Sequence, residues 1–385
     1  MSASLLVALA LLSAAAPLGT DMYLPTFVQM AQDLSTNRAT VQLTLTAFMI
    51  GMAVGQLFIG PLSDARGRRS VLVVGAVIFF LTSVAAIMAT SVWVLIIIRL
   101  LMGAAGGTGV VCSRAVISDM ETGAAAARAF SIMMAIQGLS PIIAPVVGGL
   151  LGPRIGWRGI FAVIAGFNLL MFLAAVFVVP ESLPKERRSS GGLAALWRGV
   201  VTACRRRVFI GYTLVFAICF GVLFAYISAS PYVLQQQFGL SPKLYALAFA
   251  INSMMIAVAS VVNVRLVRHF HPRNILRTAL GVIGATTIVL LFNGLFGPWL
   301  WLTLPMLAMT VFGVGLVLGN ATALGTGEVR DVAGAGSGVM GAIQFLVGGL
   351  VSPLVGMGSS PAMSMGLVMF SCAVLTMASL VLTRS

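Results

Sequence analysis

Apolar stretches long enough to cross a bilayer recur twelve times along this chain, at 4–30, 41–62, 71–89, 92–113, 127–152, 159–180, 208–229, 242–264, 274–294, 298–320, 334–356 and 362–382. A helix needs about 20 such residues to span the hydrocarbon. Inside lipid every backbone N–H and C=O must be satisfied within its own segment, so the expected fold is all-α and polytopic, with twelve transmembrane helices. Composition removes the soluble alternative: 59% of residues are hydrophobic and 8% are charged, with a mean hydropathy of +1.07. A soluble domain carries about 25% charged residues.

The longest polar interval, 181–207, holds Glu181, Lys185, Glu186, Arg187, Arg188, Arg198 and Arg205-Arg206-Arg207. It divides the chain into a six-helix bundle over 1–180, a cytoplasmic basic linker over 181–207 and a second six-helix bundle over 208–385. Arginine and lysine set the orientation. With the N-terminus inside, the inner loops hold 18 of them and the outer loops hold four: Arg38, Arg154, Arg158 and Lys243. Arg99 lies within a span. Such a split places both termini in the cytoplasm of a multi-pass protein of the inner (plasma) membrane. A net charge of +14 would suit nucleic acid. The basic residues stand between spans instead, as topology signals, so lipid is an expected partner and nucleic acid is not.

Several patterns carry no chemistry. Residues 1–16 are apolar and end in small residues, but they lack the basic start of a signal peptide, so the first span is expected to be kept. Cys112, Cys204, Cys219 and Cys372 read as small apolar residues or free thiols. Gly336-Ser-Gly338-Val-Met-Gly341 spells a dinucleotide-binding pattern but opens an apolar span, where small residues serve helix packing. His269 and His271 flank Phe270 in an arginine-rich loop without acids or cysteines, so no metal and no cofactor are expected.

Between the second and third spans stands Gly60-Pro-Leu-Ser-Asp64-Ala-Arg66-Gly67-Arg68-Arg69. Its glycines permit a tight turn, its arginines mark the inner face, and Asp64 calls for a specific partner. The spacing resembles the signature loop of the major facilitator superfamily. Leu95-x-x-x-Arg99-x-x-Met102-Gly103-x-x-Gly106 resembles that family's fourth-helix motif, with Met102 where Gln is usual. Ser140-Pro141-Ile-Ile-Ala144-Pro145-Val-Val-Gly148-Gly149 resembles the fifth-helix motif of its exporters, with Ser140 and Ala144 in place of glycine. Two prolines four apart bend a span, and Gly148 and Gly149 let a neighbour approach the bend. The resemblance implies two bundles of six helices and makes the chain a transporter rather than an enzyme or receptor.

Asp21-Met-Tyr-Leu-Pro25, Gly55-Gln56, Trp157-Arg158, Ala225-Tyr226-Ile-Ser228-x-Ser230-Pro231, and Val332-Ala-Gly-x-Gly-Ser337 followed by Gln344-Phe345 narrow the likeness. They resemble the Bcr/CflA-type drug-resistance exporters. That likeness implies a monomeric proton antiporter moving chloramphenicol- or bicyclomycin-like compounds outward. An exporter of an amino acid, peptide or nucleoside would use the same residues.

Of the nine acids, Asp21 alone falls within a span. It stands about 24 Å from the inner end of the first span, and Arg99 lies about 9–12 Å into the fourth from its outer end. The two depths are comparable, so an Asp21–Arg99 pair is expected to couple transport to protons. Burial favours the neutral acid and a neighbouring guanidinium favours the charged one. Tyr23, Gln56, Gln137, Tyr226, Asn252, Asn320 and Gln344 are the expected polar contacts of a substrate cavity that is otherwise apolar and rich in methionine. One acid there favours a neutral or monocationic amphiphile. At the inner face, Asp64 is expected to gate by pairing with the start of the eleventh span near 333–337, or with Arg68 or Arg114, with Asp119 completing the network and Gly60, Gly67 and Arg69 shaping the turn.

Overall fold

A computed structural model describes residues 1–188, 192–329, 332–358 and 360–383; Arg330, Asp331 and Arg384, counted above among the loop charges, lie outside the described residues. The helices are α1 (Ala3–Asp21), α2 (Phe27–Asp33), α3 (Arg38–Arg66), α4 (Arg68–Ile87), α5 (Val92–Met120), α6 (Gly123–Phe177), α7 (Gly192–Cys204), α8 (Arg207–Ser230), α9 (Pro242–Leu266), α10 (Pro272–Phe296), α11 (Leu300–Gly327), α12 (Ala333–Leu354) and α13 (Pro361–Ser379). No strand occurs among the described residues.

Eleven of these helical stretches are long and apolar enough to span a membrane. The twelfth is hidden in α6. A straight helix of its 55 residues would be about 80 Å long, against a hydrocarbon core of about 30 Å. Gly156 interrupts it at φ 67° and ψ 178°, in backbone space that favours glycine. Beyond the break, Arg158 reaches the Ala89 carbonyl after α4, and Val176 receives Arg69 from the start of α4. The second half of α6 therefore runs back alongside α4, which gives the twelve passes expected.

Two compact units result, Met1–Leu34 with Ala47–Trp197 (unit 1) and Ser35–Thr46 with Arg198–Ser385 (unit 2). In unit 1, α1 packs on α5 and α6, and α4 on both of those. The first span is not one rod. α1 stops at Asp21, a short 3₁₀ turn follows over Leu24–Thr26 with Pro25 inside it, and α2 completes the crossing. Proline supplies no N–H and cannot continue the ladder.

In unit 2, α8 is buried over most of its length between α11, α12 and α13, and α10 packs on α11 and α13. After Ser230 the helix widens into a π-helical turn over Pro231–Gln237. The start of α3 groups here and not with 1–180, because Arg38 donates to the Gly358 carbonyl at 2.9 Å, Gln42 to Ser228 at 2.9 Å and Thr46 to Gly349 at 2.8 Å. The basic linker contains α7, too short to register as a span. Ala203 at its end is buried with Phe209, Val329, Val339 and Met340. Exposed Trp93, Trp299, Trp301, Phe177 and Phe296 lie near helix ends, where aromatic rings meet the membrane interface.

Candidate functional site

Unit 1 gathers its buried charge where α1 ends. Asp21, 5% exposed, is the one buried acid among the described residues, and Arg99 of α5, fully buried, is the one buried base. The guanidinium has replaced its water with protein. Its Nη1 donates to the Gly19 carbonyl at 3.0 Å and contacts Met102 Sδ at 3.5 Å. Its carbon lies 4.2 Å from the centroid of Phe48, 4.4 Å from Tyr23 and 5.8 Å from Phe161, and it also bonds the Tyr23 side chain. Each close ring face is worth about 2 kcal/mol to a desolvated cation. Gly19 offers one of the last carbonyls of α1, where a positive charge meets the negative end of the helix dipole.

The sequence expects a direct Asp21–Arg99 pair. The two charges act on each other, yet Asp21 makes no ion pair among the described residues. The aromatic wall of Phe48 and Phe161 was not foreseen, since a lone Phe in an apolar span carries no signal that it faces a cation.

α6 meets the same place, its backbone helical there and broken at Gly156 instead of at the two prolines. Pro141 and Pro145 lie within the helix, and Gly149 is buried. A Cβ on Gly148 would stand 1.9 Å from the Met22 carbonyl oxygen. Only glycine lets α6 press against the backbone immediately after Asp21. Gln137, one helical stretch earlier, donates to the Ser13 carbonyl of α1 at 3.4 Å, so it ties the same two helices.

At the opposite end of unit 1, Arg68 is the hub. It pairs with Asp64, and its Nε donates to Asp119 Oδ2 at 3.1 Å and its Nη1 to Ser63 Oγ at 2.7 Å. Ser182 also donates to Asp119, at 2.9 Å. Of the expected partners of Asp64 within this unit, Arg68 is the one in contact. Arg114 is exposed and has no partner among the described residues. Glu181 is an addition: its carboxylate accepts the Arg68 backbone N–H at 2.9 Å and pairs with Arg188. Gly67, at φ 97°, holds a backbone conformation that strains any side chain, and a Cβ there would also push the Glu181 carboxylate aside. Gly60 faces Val111 without crowding, and Arg69 binds the Val176 carbonyl at 2.6 Å. An acid directly after the sixth span, in a mostly basic loop, was the signal available for Glu181.

Unit 2 brings together neutral groups. Asn252 of α9 donates to the Tyr226 hydroxyl of α8 at 3.0 Å, and Tyr226 stacks on Phe249 at 5.6 Å. Tyr245 and Ser230 hydroxyls share a bond of 3.2 Å beside them. Asn320 is placed elsewhere: it bonds Asn263 at 2.7 Å and joins α11 to α9. Gln56 in unit 1 and Gln344 in unit 2 are half-buried.

Comparison with known proteins follows the same lines. The profile of the Major Facilitator Superfamily matches residues 9–353. The chain belongs to that superfamily. It is 34% identical over 370 residues to an uncharacterised MFS-type transporter, YdgK, of Bacillus subtilis, covering 95% of this chain and 92% of that one. It is 30% identical over 375 residues to a bicyclomycin resistance protein homolog of Haemophilus influenzae (96% and 94%). It is 28% identical over 348 residues to a chloramphenicol resistance protein of Pseudomonas aeruginosa (89% and 80%). These names match the Bcr/CflA-type group that the motifs resemble. Among solved structures, a bacterial homolog of the human lysosomal transporter Spinster superposes with a TM-score of 0.74 at 17% identity, covering 98% of this chain and 95% of that one. A D-xylose-proton symporter superposes at 0.70 and 18% (97% and 96%). Both share the fold. This superfamily member is thus a multi-pass plasma-membrane transporter of small molecules, not an enzyme.

Proposed function

We propose that the chain is a proton-coupled exporter of small amphipathic drugs, working by alternating access. The observation that carries this reading is Asp21, the one buried carboxylate among the described residues, near a caged arginine at the broken end of α1. An ionised acid inside a membrane is costly, so it takes up a proton, faces a wet cavity or meets a cation. A site open to the acidic side neutralises Asp21 and releases a bound drug; a site open to the cytoplasm loses the proton and binds the next. In unit 2, Tyr226 and Asn252 supply hydrogen bonds to a neutral or monocationic substrate. The relatives named for bicyclomycin and chloramphenicol resistance support this choice of substrate class. Proton antiport at Asp21 is the coupling step, and Asp64 with Arg68 and Asp119 stabilises one state of the gate.

The test is efflux from proteoliposomes under an imposed pH gradient, with chloramphenicol as the probe. Wild type should export it and release protons in the opposite sense, unchanged when Na⁺ is replaced by K⁺. Asp21→Asn should reach the membrane in normal amount yet give efflux equal to empty vesicles at every pH. A wild-type pH response in that variant overturns the coupling role.

A further inference from the structure

We propose that unit 2 holds an anionic phospholipid in a groove between α9, α10 and α11, one acyl chain inside and the phosphate on the arginines at its mouth. The groove encloses about 550 Å³ and is walled by Met255, Leu266, Phe270, Ala308 and Phe312 among others, with Asn274 and Thr278 its polar side chains. That volume lies within the range of about 300–1,000 Å³ typical of small-ligand sites. On α10 its wall runs from Asn274 to Val282, about 12 Å of rise. One leaflet of hydrocarbon is about 15 Å deep. The groove's wall on α10 is therefore close to one leaflet tall, which fits a lipid tail.

Charge selects the headgroup. Phe270 and Asn274, which line the groove, are flanked in sequence by Arg265, Arg268, Arg273 and Arg277. Arg273 donates to the Thr383 carbonyl at 3.0 Å, while Arg265, Arg268 and Arg277 are exposed and join no ion pair among the described residues. His269 and His271 are exposed in the same turn and add no negative charge. No acidic residue occurs from 187 to 327, so nothing in that stretch can neutralise these guanidiniums. A phosphate-bearing lipid with net negative charge supplies what the chain omits, and arginine binds phosphate through two parallel hydrogen bonds. Nothing in this assignment depends on the direction or coupling of transport.

The experiment uses the full chain in nanodiscs containing equal phosphatidylglycerol and phosphatidylcholine, with co-purified lipid counted by native mass spectrometry. One phosphatidylglycerol per chain should be retained, with a preference of about tenfold or more over phosphatidylcholine. Arg268→Gln with Arg277→Gln should abolish the preference, and Arg268→Lys with Arg277→Lys should keep most of it, which separates loss of charge from loss of folding. Ala308→Leu, which fills the groove, should lower retention of both lipids. Equal retention of the two lipids by wild type overturns the proposal. So does a preference untouched by both the Gln and the Leu variants, or retained lipid that chloramphenicol displaces regardless of headgroup.

Discussion

The first long helix of each unit ends in the same way and is furnished in opposite ways. α1 breaks before Pro25 and α8 widens at Pro231, and both are largely buried within their own unit. Around the end of α1 stand a carboxylate and a guanidinium; around the end of α8 stand phenols, a serine and an amide. Charge follows this division throughout. Asp21, Asp33, Asp64, Asp119, Glu121, Glu181 and Glu186 belong to unit 1, whereas unit 2 has Glu328 and Asp331. A similar scaffold thus carries two kinds of chemistry. Unit 1 has titratable groups and ion pairs, and unit 2 has hydrogen bonds between neutral groups.

Breaking the charged end should have the largest effect. Arg99→Ala empties the aromatic cage and leaves the buried Gly19 carbonyl without its donor, at a cost of about 1–3 kcal/mol for that carbonyl alone. We expect little folded protein, read as loss of the monodisperse peak in detergent. Arg99→Lys keeps the charge but not the planar fork, so it should fold with weakened coupling. If Arg99→Ala accumulates and transports like wild type, the cage is packing only.

Gly148→Val comes next, because its side chain would collide with the Met22 carbonyl. Pushing α6 from α1 should cost about 1–3 kcal/mol and disturb coupling more than membrane insertion, measured as efflux per folded molecule. The matching change in unit 2 sharpens the contrast. Tyr226→Phe leaves the Asn252 amide short of one hydrogen bond, about 1–3 kcal/mol. It should alter which drugs are exported while leaving the pH dependence of efflux intact; a changed pH profile would erase the contrast. The smallest effect is expected at the inner turn, where Glu181→Gln weakens an exposed pair worth about 0.5 kcal/mol. It should shift thermal stability by little, whereas Gly67→Ala, at a positive φ and against Glu181, should lower it measurably.

Much of this was legible beforehand. Twelve spans, a turn organised on Asp64 and Arg68, and an acid and a base in the first and fourth spans all follow from spacing and from what a bilayer excludes. Asn320 and Gln137 were expected as substrate contacts; the structure has them bonded to Asn263 and Ser13, joining helices. Glu181 and α7 lay in an interval read for its basic charge alone.

Hydrophobic length, arginine placement and scarcity of acids are properties of the chain in one dimension. Lipid acts on each span separately, so those properties determined the fold class and picked out Asp21 and Arg99. The direction in which a buried guanidinium points depends on which neighbours can replace its water. That was decided only when α1, α3, α5 and α6 came together to offer Gly19, Phe48, Tyr23 and Phe161. The groove between α9, α10 and α11 is of the same kind: its residues are ordinary span residues in sequence, and only the packing of three helices leaves space between them.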